Sequence, residues 1–112
     1  MFLYNAWYVA GWSADLAVKA SQARTLLGQP VVLFRTEAGQ AVALEDRCAH
    51  RSVPLSAGQV AGEAIRCAYH GLEFAADGTC IRVPCQDLIP PKARVRSYPV
   101  VEQDAAIWIW MG

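Results

Sequence analysis

Charge of one sign is what the sequence most plainly lacks: ten Lys plus Arg stand against ten Asp plus Glu, a formal net charge of zero. That balance excludes the basic footprint of a nucleic-acid binder. No basic residue precedes Lys19, and the apolar opening MFLYNAWYVAGW, interrupted by Asn5, runs straight into Ser13 and Asp15. It has the pattern of neither an export signal nor a membrane span, so a cytoplasmic protein without a membrane partner is expected. Internal repeats, low-complexity tracts and linkers are missing too. At 112 residues and 54% hydrophobic, the chain can build one domain with its own core over residues 1–112, and has no room for a second catalytic domain of ordinary size. Histidine is scarce, with only His50 and His70, and the four cysteines are Cys48, Cys67, Cys80 and Cys85. In a reducing compartment metal binding is a better use for at least two of these thiols than a pair of disulfides.

Helix signals are few, and what is present reads as strands and turns. VVLFRT (31–36) and AVALE (41–45) flank the turn-like EAGQ and predict a hairpin. GLEFAADGTCIRV repeats the device, with Asp77-Gly78 as a type I′ signal between an EFA strand and a TCIRV strand. SYPVVEQDAAIWIW predicts two more strands around Asp104 and Ala105, although Ala105 occupies a position better suited to glycine. SADLAVKA (13–20) predicts one short helix capped by Ser13. In PCQDLIPPKARVRSYP, Pro84, Pro90, Pro91 and Pro99 oppose regular structure and predict an ordered surface loop. The fold class expected is all-β.

The chemistry concentrates in CAHRSVPLSAGQVAGEAIRCAYH (48–70), which opens with Cys-x-His and closes with Cys-x-x-His, sixteen residues separating His50 from Cys67. Two thiolates and two imidazoles suit zinc or an iron-sulfur cluster and do not suit calcium or magnesium. Structural zinc sites more often pair like ligands with like. A Rieske centre instead gives two Cys to one iron and two His to the other, so two loops that each carry one Cys and one His match it well. Two ferric ions and two sulfides carry a net charge of +2; four thiolates would bring the oxidised cluster to −2, whereas two thiolates and two neutral imidazoles bring it to zero. An added electron is then easier to accept, which accounts for Rieske potentials of roughly −150 to +300 mV against about −400 mV for plant-type ferredoxins.

The segments NAWYVAG (5–11), ALEDRCAHRSVPLSAG (43–58), CAYHGLEF (67–74) and SYPVVEQDAAIWIWMG (97–112) resemble the Rieske domain of aromatic-ring oxygenases, and more narrowly the oxygenase components of the vanillate O-demethylase group. The similarity spans nearly the whole chain. It implies three small antiparallel sheets with a cluster-binding subdomain at one end, a 2Fe-2S cluster on Cys48, His50, Cys67 and His70, and loop-shaping roles for Arg51, Pro54, Gly58, Tyr69 and Gly71. The ligand loops lack the extra cysteines of mitochondrial-type Rieske proteins, and Leu72 stands where many ring dioxygenases carry tryptophan. In the resembled family an NADH-dependent flavin and iron-sulfur reductase supplies electrons. The cluster passes them to a mononuclear non-haem iron, often in the neighbouring subunit of a trimer. That iron needs two histidines and a carboxylate, and both histidines here are already assigned to the cluster, so the oxygen-activating site and the substrate contacts are expected in a catalytic domain outside this chain.

Two other readings stand beside this one: a freestanding Rieske ferredoxin, and a zinc-stabilised interaction module with no redox role. Cys80 and Cys85 read as structural thiols. Trp108 and Trp110, alternating with Ile107 and Ile109, read as a packed strand. Arg47, Arg51 and Arg66 read as solvated charges, or as a patch that steers an acidic reductase.

Overall fold

The computed structural model describes residues 4–47, 54–68, 71–83 and 93–112, and it is built of strands, as the sequence predicts, in three antiparallel sheets, as the resemblance implies. In chain order the strands are β1 (Ala6–Trp12), β2 (Ser21–Leu26), β3 (Gln29–Arg35), β4 (Ala41–Glu45), β5 (Gln59–Ala61), β6 (Ala64–Arg66), β7 (Glu73–Phe74), β8 (Cys80–Arg82), β9 (Ser97–Tyr98), β10 (Val100–Gln103) and β11 (Ala106–Met111). The first sheet has the order β1-β11-β10, the middle sheet β2-β3-β4-β9, and the third β5-β6-β7-β8.

The two central strands of the middle sheet, β3 and β4, are buried on both sides, and this explains the unbroken apolar run of β3. Val31 and Leu33 face a core shared with Ile107, Ile109 and Met111 of β11, while Val32 and Phe34 face a second core shared with Leu55, Ile65, Leu72 and Phe74. A strand with only one buried face would alternate apolar and polar residues; this one has no solvent face over VVLF. The third sheet reaches the rest of the molecule through that second core.

The three predicted hairpins form, with one correction of turn type. Val31–Arg35 pairs with Ala41–Glu45 around Gly39. At the β7–β8 hairpin only Gly78 of the Asp77-Gly78 pair has a positive φ (86°), and its amide donates to the Ala75 carbonyl at 2.9 Å. A type I′ turn needs positive φ at both central residues, so this is a type I turn closed by a left-handed glycine. Asp77 serves it differently, its Oδ1 accepting the Thr79 amide at 2.9 Å. At Asp104-Ala105 both residues are left-handed, with φ of 56° and 63°, which is the type I′ pattern. Ala105 is exposed and carries the strain of a Cβ there. Replacing it by glycine is expected to raise stability by about 1 kcal/mol, read as a higher denaturation midpoint.

The predicted helix over 13–20 shrinks to one 3-10 turn, Ser13–Asp15, with Trp12 rather than Ser13 in the capping position. Two tertiary interactions displace it. The Arg35 guanidinium takes the carbonyls of Ser13 and Leu16, and the Lys19 amide donates to the Arg35 carbonyl at 2.9 Å, which draws the chain onto the edge of β3. The proline-rich stretch also needs correcting at its end, where Ser97–Tyr98 pairs with β4 as β9 and Arg94 bridges Thr79; residues 84–92 lie outside those described. The alternation in β11 separates two environments. Ile107, Ile109 and Met111 are fully buried, whereas Trp108 and Trp110 lie half-buried on the outer face, Trp110 meeting Trp7 edge-on with ring centroids 5.5 Å apart. Among the described residues no helix is long and apolar enough to cross a membrane.

Candidate metal centre

Of the four predicted ligands, Cys67 is described; Cys48, His50 and His70 lie outside the described residues, as do Arg51 and Tyr69. The structure therefore shows the framework that flanks the two ligand segments.

Cys67 directly follows β6. Its thiol is free, its residue is 1% exposed, and it belongs to the core between the middle and third sheets. Both of its backbone groups are committed: the amide donates to the Leu72 carbonyl at 2.7 Å and the carbonyl accepts the Gly71 amide at 3.1 Å. Gly71 makes that return with φ at 76°, a conformation that side chains disfavour. The second ligand segment is thus tied off at its base, with Leu72 buried beneath it.

The first segment is closed from both sides. Asp46, just after β4, is 9% exposed; its Oδ1 accepts the Ser56 amide at 2.7 Å and its Oδ2 accepts the Ser56 hydroxyl at 2.6 Å. Pro54 precedes a 3-10 turn, Leu55–Ala57, and accepts the Ala57 amide at 3.2 Å. Leu55 anchors that turn in the core with no exposure at all. Gly58 then lies against the second segment, where a Cβ would sit 1.8 Å from the Arg66 carbonyl oxygen and 3.2 Å from the Ala68 amide nitrogen. Its φ of −93° is open to any residue, so this glycine is required for space and not for backbone freedom.

Gly58, Arg66, Cys67, Ala68 and Gly71 line a cavity of about 330 Å³ at this end of the third sheet. A cysteine among the lining of a pocket walled by Gly58 and Gly71 suits a soft, thiophilic metal group, and the donor set written in the sequence suits a 2Fe-2S cluster. Arg66 of the cavity wall, and Arg47 and Arg82 elsewhere, are paired as well as solvated. Arg47 meets Glu45 at 2.9 Å, while Arg66 and Arg82 flank the buried Glu73 at 3.3 and 3.7 Å, and all three guanidiniums remain largely exposed. This ladder was not foreseen from the sequence, because Arg66, Glu73 and Arg82 become neighbours only through the register of β6, β7 and β8.

Cys80 lies elsewhere in the same core, 3% exposed, its thiol donating to the Arg82 carbonyl at 3.5 Å; burial pushes its pKa up, as for an inert packing residue. Cys85 lies outside the described residues.

Comparison with known proteins matches this framework. The chain is 50% identical over its whole length to the iron-sulfur subunit of the toluene-4-sulfonate monooxygenase system of Comamonas testosteroni, covering 32% of that protein. It is 46% identical over 99% of its length to the oxygenase component of dicamba O-demethylase from Stenotrophomonas maltophilia, covering 33% of it. The crystal structure of apo dicamba monooxygenase superimposes with a TM-score of 0.94 at 45% identity, over 99% of this chain and 34% of that one. The chain thus spans about a third of the length of these relatives. Residues 6–99 match the Rieske 2Fe-2S domain model, and with three antiparallel sheets and a buried Cys67 between two glycine-walled segments, the chain belongs to the Rieske 2Fe-2S domain family.

Proposed function

We propose that Cys48 and Cys67 hold one iron of the 2Fe-2S cluster and that His50 and His70 hold the other, with Arg51, Pro54, Gly58, Tyr69 and Gly71 shaping the two loops. The observation that carries this reading is Cys67, a free and nearly fully buried residue held by both its backbone groups, which lines a cavity together with Ala57, Gly58 and Gln59. When bound, the cluster supplies one-electron chemistry at a potential above that of all-cysteine clusters, because neutral imidazoles replace two thiolates. The clasp from Leu72 and Gly71 fixes the direction of the Cys67 side chain, and the bare face of Gly58 lets the first segment approach closely enough to share one ligand sphere.

Electron transfer is the role of the domain. Its partners on this proposal are an NADH-dependent flavin and iron-sulfur reductase and the mononuclear non-haem iron of a catalytic domain, in the same chain or in a neighbouring subunit of a trimer. The whole protein is then a cytoplasmic terminal oxygenase that hydroxylates or O-demethylates a small aromatic acid. Support comes from relatives that are themselves parts of such systems, among them a dicamba monooxygenase crystallised with non-heme iron and dicamba. The exposed guanidinium of Arg66, which lines the cavity, gives it a positive end suited to an acidic reductase surface.

Purified protein is expected to contain iron and acid-labile sulfide in equal amounts, two of each per chain, and to be red-brown. One zinc with no sulfide overturns the assignment. Replacing His70 by cysteine is expected to lower the potential of whatever cluster assembles, by adding a negative charge.

A further inference from the structure

The second ligand segment is tied by its own backbone at Cys67, Gly71 and Leu72, whereas the fastening across the first is a side chain. Asp46 and Ser56 stand ten positions apart, one on each side of Cys48 and His50. Each is anchored independently. The Asp46 amide donates to the Pro30 carbonyl at 3.1 Å, holding it to the start of β3, and Ser56 belongs to the turn pinned by the buried Leu55. The carboxylate spans the gap with both oxygens, and among the described residues its side-chain partners are the two donors of Ser56. Burying a carboxylate against neutral donors is costly unless both oxygens are satisfied in good geometry, and this arrangement meets that condition.

We infer that Asp46 is a positioning residue for the 2Fe-2S cluster: its carboxylate ties the chain before Cys48 to Ser56, whose turn runs into Gly58 against the Arg66 backbone that leads to Cys67. The inference rests on the ligand assignment proposed above. Without the latch, the described residues on either side of the first ligand segment keep only their separate anchors, the Asp46 amide on the Pro30 carbonyl and Leu55 in the core, and lose the side-chain tie between them. The link is continuous from the middle sheet through Asp46, Ser56 and Gly58 to Arg66 and Cys67. An amide in place of the carboxylate keeps one acceptor and loses the other, so Asn is a partial substitute.

The test uses the cluster-loaded protein and its Asp46→Ala, Asp46→Asn and Ser56→Ala variants. Bleaching by an iron chelator is expected to accelerate about tenfold in Ser56→Ala, more in Asp46→Asn, and by roughly a hundredfold in Asp46→Ala. The reduced-state EPR spectrum of Asp46→Ala should broaden or shift in the protein that remains loaded, a change that loss of fold stability alone does not cause. Hydrogen exchange at the Ser56 amide gives a readout independent of the cluster: protection in the apo chain should fall in Asp46→Ala and be retained in Ser56→Ala, where the amide bond to Asp46 survives. Should Asp46→Ala fail to fold, Ser56→Ala carries both measurements. Unchanged bleaching and spectra in a folded, loaded Ser56→Ala or Asp46→Ala variant overturn the positioning role. Ser56 protection that is indifferent to Asp46 overturns the latch itself, whereas wild-type protein that never takes up equal iron and sulfide fails the ligand assignment instead.

Discussion

Alanine at position 58 is expected to cut cluster retention well below full loading. The added methyl would lie 1.8 Å from the Arg66 carbonyl oxygen and 2.9 Å from its carbonyl carbon, distances that real Cβ atoms do not show. Both obstacles are backbone, so no rotamer change relieves them. The Arg66 carbonyl belongs to the last residue of β6, paired to Gln59 of β5, and it leads directly into Cys67. Relief must therefore come from moving one ligand segment away from the other. Overpacking of this kind costs about 1–3 kcal/mol when neighbours can adjust, and this site should fall at or above the upper end. The expected result is a folded protein of lowered thermal midpoint with iron and sulfide well below two per chain. Gly11→Ala is the matching control, because its nearest contact is a Leu33 methyl at 3.6 Å, an ordinary packing distance, and it should keep a full complement of iron. Full loading of Gly58→Ala would show that the two segments do not approach as described.

The second large effect is expected at Arg35, far from the cavity. Its Nε donates to the Leu16 carbonyl at 2.5 Å, Nη1 to the Gly39 carbonyl and Glu102 Oε1 at 2.9 Å each, and Nη2 to Glu102 Oε2 at 2.9 Å and the Ser13 carbonyl at 3.3 Å. One planar fork thus ties the middle sheet to β10, to the 3-10 turn after β1 and to the β3–β4 turn. The side chain is only 12% exposed. Methionine keeps the stem and removes every donor, leaving three carbonyls and a carboxylate to find water. A loss of about 3 kcal/mol is expected, or roughly 10–15 °C in Tm for a domain of this size. The Arg35 hydrogen bond, helped by one from Ser13 and by the guanidinium charge, holds the Glu102 carboxyl below its ordinary value of 4.5 against the opposing effect of burial. A carboxyl depressed in the folded state binds protons more weakly there than in the unfolded chain. Its contribution is therefore complete above about pH 4.5 and is lost as pH falls through the lower folded value. Glu102→Gln should accordingly be less stable than wild type at pH 7, with the difference shrinking toward pH 3. Urea midpoints measured across that range check the sign, and a difference that grows on acidification contradicts the pairing.

How much of this could be read in advance varies with the range of the interaction. The hairpins at Gly39, Gly78 and Asp104-Ala105 were legible because turn chemistry lies within four or five residues, although the turn type at Asp77-Gly78 was not. Strands β5 and β6, three residues each, were missed because so short a run carries no period; they exist through pairing with each other and, for β6, with β7. The helix expected over 13–20 failed for the opposite reason, a plausible local pattern overridden when Arg35 took the carbonyls of Leu16 and Ser13, 19 and 22 positions away in the sequence.

The proposed chemistry of the site is legible in the sequence alone: the donor atoms of Cys-x-His and Cys-x-x-His are properties of residue types at short spacing, and that pattern points to a mixed-ligand iron-sulfur centre. The same is true of the resemblance that assigned the fold. Only the tertiary structure decided why Gly58 must be glycine, that Asp46 reaches Ser56, that Arg66 and Arg82 share Glu73, and that Arg35 holds Glu102 from the far sheet. Each of these depends on two segments meeting in space, and the distance between their backbones is set by the packing of three sheets around two cores, which no local pattern encodes.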